Sequence, residues 1–206
     1  MRGDVIEIEV QDSEQAGNDF EFTATRFPQC ILLGKERAMK SVSITTPTDR
    51  DQAEDAATLT EAVQRLLQVS FHEAAHALIA IQLDQHVGIV HAQLGGSGTT
   101  IVYGEAAYPI QLAILLAGEV AERLLEFPDE GTAREDQEQA ARLLKEAGLR
   151  RRGRRETICS VKRAVEENLR ATVPALVAIA FELMERDLTE SDVRRIMAQN
   201  PEKRVA

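Results

Sequence analysis

The sequence predicts a mainly α-helical fold, and three observations carry that expectation. The stretch from Asp51 to Leu83 contains no Pro or Gly and places Leu59, Val63, Leu66, Leu67, Phe71, Ala74, Ala75, Leu78 and Ile79 on one broad helical face. The composition is 44% hydrophobic but only 4% aromatic, with no Trp. A core must then be built from Leu, Ala, Ile and Val, which suits packed helices. Helix-start chemistry recurs along the chain, at Thr58-x-x-Glu61, Thr132-x-x-Glu135 and Thr189-x-x-Asp192. A length of 206 residues fits one ordinary domain with a small appendage.

The N-terminal part reads differently. Val5 to Val10 alternates apolar and acidic residues, and Asp19 to Thr25 alternates similarly, with turn residues Gly17 and Asn18 between them. A β-hairpin over 5–27 is expected, followed by a Ser/Thr/Pro-rich linker from Ser41 to Asp51. The chain divides on this reading into a β-like extension, 1–50, and a helical body, 51–206. Gly34-Lys35 fails as a phosphate loop, because Gln29 and Glu36 stand where Gly and Ser/Thr are needed.

Within the body, the first long helix gives way to Gly88–Gly104. Two short strands, Ile89–Leu94 and Thr99–Tyr103, are expected there about the turn Gly95-Gly96-Ser97-Gly98. Pro109 opens a second helix whose core face is Leu112, Leu115, Leu116, Val120, Leu124 and Leu125. Gly118 in that helix would let another helix approach closely, such as the one bearing the histidines. Beyond the turn at Phe127–Gly131, Thr132 caps a third helix, Gln137–Ala147. The basic run Arg150–Arg155 is read as a solvated loop, Thr157–Glu185 as two helices about Pro174, and Thr189–Met197 as a last short helix.

The chemistry concentrates in Ser70–Leu78, which contains His72-Glu73-Ala74-Ala75-His76. On a helix, H-E-x-x-H sets two imidazoles about 40° apart and roughly one turn along the axis, so that they can share a metal ion. The Glu beside the first His can hold and deprotonate water there. Two of the four histidines of the chain lie in this motif. The other two, His86 and His91, are expected to be solvated. A third ligand must come from elsewhere, and three carboxylates qualify. Glu119 and Glu122 lie on the second helix, as ligands or as partners of a ligand imidazole. Asp136 lies at a helix start, where the anion is favoured. The Gly-turn hairpin could align an extended peptide beside the metal, or be purely structural.

Charge and cysteine content exclude other classes. A net charge of -10 argues against nucleic-acid binding. Cys30 and Cys159 make no metal-binding spacing, which points to a reduced, cytoplasmic protein. The longest apolar run, Ile110–Gly118, falls short of the ~20 residues of a membrane span. The N-terminus carries no apolar signal core, so no membrane segment is expected.

Three segments taken in order resemble the peptidase domain of the FtsH-type membrane AAA proteases: His72–Ala80, Leu115–Glu122 and Gly131–Asp136. Leu183–Val193 is similar to the closing helices of that family, so that the resemblance spans about 58–198. It implies a helical zinc-metallopeptidase domain with a small β-hairpin near the active site. It further implies Zn2+ held by His72, His76 and Asp136, Glu73 as general base, and Glu122 beside a ligand imidazole. Ala75 and Glu135 replace the family's usual Gly and Asn. The segment between the His helix and the Ala-Glu helix is shorter, and neither an ATPase module nor a membrane anchor is expected within these residues. The implied activity is ATP-independent cleavage of peptides or unfolded proteins, by a homo-oligomer or with an ATPase partner in trans. The competing expectation is a catalytically silent adaptor or regulator of the same fold.

Overall fold

The computed structural model describes residues 5–10 and 50–201, apart from 95, 105, 129 and 130. In chain order the elements are β1 (Val5–Val10), α1 (Arg50–Gln82), β2 (His86–Ala92), β3 (Gly98–Tyr103), α2 (Tyr108–Leu115), α3 (Ala117–Leu124), α4 (Arg134–Glu146), α5 (Arg151–Ala171), α6 (Val173–Leu183), β4 (Leu188–Thr189) and α7 (Glu190–Gln199). The fold is mainly helical with a small antiparallel sheet, as the composition and periodicity predict. Residues 1–13 and 58–206 make one compact unit; of the second, 14–57, the described part is the opening of α1.

The long α1 supplies the spine. Its core face begins at Leu66 and continues through Val69, Phe71, Ala74, Ala75, Leu78 and Ile79, whereas Leu59 and Val63 are exposed. The apolar face is therefore shorter than the sequence suggests. Thr58 does not open the helix, which already runs from Arg50. Asp84 takes a left-handed conformation (φ 57°) and turns the chain out of α1 into β2.

The expected hairpin forms from β2 and β3, antiparallel, with His91 opposite Thr99 and Ala92 opposite Gly98. The strand order is β1-β3-β2-β4. The apolar-acidic strand at the N-terminus is present, and its partner is β3, with Val5 opposite Tyr103 and Val10 opposite Gly98. Its anticipated hairpin partner, 19–25, lies outside the described residues, as do Gly34-Lys35 and most of the linker.

The helix expected from Pro109 is broken in two. Pro109 sits in the first turn of α2, and Leu116 (φ -90°, ψ -5°) forms a turn between α2 and α3 while Val120 N still donates to its carbonyl. The basic run Arg150–Arg155 is not a loop, since Arg151 opens α5. Arg and Lys are good helix formers, and charges spaced along an exposed face are tolerated there. Pro174 lies in the first turn of α6. At α7, Thr189 and Asp192 form a reciprocal capping box. No helix among the described residues is long and apolar enough to cross a membrane. The core, centred on Leu78, Leu112, Leu144, Leu169, Leu176 and Ile196, is aliphatic.

Candidate metal centre

His72, Glu73 and His76 are fully buried on the core side of α1, and Asp136 is 1% exposed. Four buried ionisable groups in an aliphatic core require partners or a cation. The imidazoles meet one carboxylate oxygen: His72 Nε2 lies 2.9 Å and His76 Nε2 3.1 Å from Asp136 Oδ2. These three atoms form a group that could hold a metal ion.

The remaining ring nitrogens are anchored by outer partners. His76 Nδ1 donates to the Ile114 carbonyl at 2.6 Å, at the end of α2. A carbonyl only accepts, so Nδ1 is the donor in this bond, and Nε2 is the ring nitrogen turned to Asp136. His72 Nδ1 donates to Glu122 Oε1 at 2.7 Å. Glu122 in turn accepts from Thr132 Oγ1, to which Gln68 Nε2 donates at 3.4 Å. Such outer bonds fix ring orientation in metal sites.

The approach of α3 to α1 depends on Gly118. A Cβ at that position would lie 2.3 Å from Cε1 and Nε2 of His72. The anticipated close approach is thus present, and it is made against the ring of His72. On the opposite side the start of β3 presses on Glu73: a Cβ at Gly98 would lie 2.6 Å from Glu73 Cγ. Thr100 Oγ1 donates to Glu73 Oε2 at 2.6 Å, while Glu73 Oε1 is buried without a hydrogen-bond partner.

The electrostatics follow from this geometry. Burial opposes charge on His72, but hydrogen bonds to Asp136 and Glu122 outweigh it and hold the imidazole pKa well above its usual value. Burial also works against the Asp136 anion, yet the two histidines overcome it and hold the carboxyl well below the usual range. Glu73 is pushed up, chiefly by desolvation, with the histidines and Thr100 opposing.

A divalent cation fits this donor set. Two ligand atoms about 2.0–2.1 Å from a tetrahedral zinc lie about 3.3 Å apart, close to the observed N···O separations. Asp136 Oδ1 is buried and unpartnered, leaving a carboxylate with spare acceptor capacity.

Of the three carboxylates considered for the third ligand, Asp136 reaches both imidazoles. Glu122 stands behind His72. Glu119 is turned away, paired with Lys162 and accepting from Gln137 Nε2 at 3.1 Å. His86 and His91 belong to β2 and pair with Glu190 and Asp187, away from the group. Thr132 does not cap α4, whose N-cap is Ala133 with no side-chain bond; its hydroxyl serves Glu122 instead. Sequence reasoning missed Thr100, Gly98 and the Ile114 carbonyl. A threonine in a strand and a main-chain oxygen carry no local signature, and Gly98 reads as an ordinary turn residue.

No protein-family model matches the chain, and a search of the curated proteins returns no match.

Proposed function

We propose that the protein is a zinc-dependent endopeptidase of the H-E-x-x-H type, acting on peptides or unfolded segments. The observation that carries this reading is the convergence of His72 Nε2, His76 Nε2 and Asp136 Oδ2 beside a buried, half-satisfied Glu73. His72, His76 and Asp136 would hold the metal. Zinc, when bound, supplies a Lewis acid that polarises a carbonyl and acidifies water. Glu73 provides the base. Its Oε2 is tied to Thr100, leaving Oε1 to accept a proton from water and return it to the leaving amine. A carboxyl raised by burial sits closer to neutrality and suits both halves of that transfer. Glu122 and the Ile114 carbonyl orient the rings. The three motifs in the order of the FtsH-type peptidase domain support the same reading.

One observation favours a second reading, in which the metal only ties α1 to α4 in a silent adaptor: every member of the group is buried. Metal analysis with a casein digestion assay, with and without chelator, separates the two. A peptidase binds zinc, cleaves casein, loses cleavage to the chelator, and with Glu73→Gln keeps zinc but not activity. Zinc binding without any cleavage would leave the adaptor standing.

A further inference from the structure

We propose that β1 is an intramolecular occupant of the strand edge that receives an extended substrate, so that the chain holds its own N-terminal segment across the metal cleft. This inference rests on the peptidase reading. Three placements carry it. First, β3 is the strand that touches the base: Gly98 abuts Glu73 and Thr100 hydrogen-bonds to it. Second, one edge of β3 is taken by β2 and the other by β1, whose Val10 and Ile8 stand opposite Gly98 and Thr100. Third, β1 also packs beside α4, the helix that brings Asp136 to the histidines. β1 therefore contacts both the strand that abuts Glu73 and the helix that carries Asp136.

An extended peptide recognised by main-chain pairing adds a strand to a free sheet edge. Here the edge adjoining Glu73 is not free, and the residues occupying it are in the antiparallel register such a peptide could adopt. Among the described residues β1 is the terminal strand of the sheet, paired with β3 alone, so an incoming strand could exchange with it without disturbing β2. The occupant has a defined chemistry: an extended segment that alternates aliphatic and acidic residues, Val-Ile-Glu-Ile-Glu-Val. The trans ligand that fits the same edge is a strand of that kind.

The test uses the full zinc-loaded chain and a fluorescently labelled peptide of its own residues 1–13. Replacing both Glu7→Pro and Ile8→Pro removes a ladder N–H whichever of the two faces β3. This variant should bind the labelled peptide at least tenfold more tightly than the wild type and cleave casein faster. Equal peptide binding by the two chains would overturn the proposal. Tighter binding with no casein cleavage by either chain would sustain the occupied edge and defeat the peptidase reading. A second variant guards against misfolding of the first. Glu7 and Ile101 are direct partners, so Glu7→Cys with Ile101→Cys, in a chain carrying Cys30→Ser and Cys159→Ser, should form a disulfide on mild oxidation. The oxidised form should refuse the labelled peptide even at concentrations that displace β1 from the reduced form. Failure of the bond to form, or equal binding by oxidised and reduced protein, would overturn the proposal.

Discussion

The single hydroxyl proton of Thr100 faces two acceptors of Glu73, the carboxylate Oε2 at 2.6 Å and, at 3.2 Å, the backbone carbonyl. The strand thereby fixes the side chain of the proposed base. Thr100→Val keeps the shape and removes the donor. Because this bond lowers the Glu73 pKa against the upward push of burial, its loss raises that pKa further. The acidic limb of the pH profile of kcat/KM should move to higher pH, with a rate loss on the order of tenfold or more. An unmoved limb would mean that Thr100 does not position the base.

Gly118 should tolerate no side chain. A methyl group 2.3 Å from the His72 ring must displace either that ring or α3. Gly118→Ala is expected to destabilise the fold by about 1–3 kcal/mol and to weaken zinc binding in competition titrations. The internal comparison is Gly153→Ala in α5, where nothing lies within 4 Å. That change should stabilise by roughly 0.5–1 kcal/mol in urea denaturation.

The carboxylates near the group should separate cleanly. Asp136→Ala should abolish stoichiometric zinc. Glu122→Gln, which keeps an acceptor behind His72 but removes its charge, should reduce zinc affinity about 10–100-fold. Glu119→Gln should leave affinity unchanged, since Glu119 is engaged with Lys162 and Gln137. Retention of zinc by Asp136→Ala and its loss with Glu119→Gln would reassign the third ligand.

Stability against pH should differ in shape with and without metal. In chelator, the raised His72 pKa contributes stability that is full below its unfolded value of about 6.5 and is lost as pH rises through the folded value. Glu73, also raised, acts in the same direction from about 4.3 upward. The lowered Asp136 pKa contributes above its unfolded value of about 3.9 and is lost as pH falls through the folded one. Metal-free protein should therefore be most stable in mildly acidic solution and weaken toward pH 8. Zinc requires deprotonated imidazoles, so the increment it adds should grow over the same range. Urea melts at pH 5 and pH 8, with chelator or with zinc, check both trends.

How much of this was legible beforehand depended on whether the signal was local. H-E-x-x-H fixes its own geometry once the segment is helical, so His72, Glu73 and His76 could be read directly. Asp136 was singled out over Glu119 and Glu122 only through the family resemblance, because the distance of each carboxylate from the imidazoles is decided by how α3 and α4 pack on α1. The Thr132 box satisfied the capping pattern, yet a buried carboxylate competed for its hydroxyl and won. At Thr189 no such competitor exists among the described residues, and the same pattern does cap its helix. The break at Leu116 is unmarked by Pro or Gly at that residue. The pairing of β1 with β3 bridges some ninety residues, a separation that alternation alone does not encode.

The interruption between α2 and α3 gives the two imidazoles a common mechanical anchor. Ile114, just before it, grips the ring of His76, and Gly118, just after it, makes room for the ring of His72. A shift of either short helix would be felt by both rings together. Displacing this joint should therefore misalign both rings and weaken metal binding at the site.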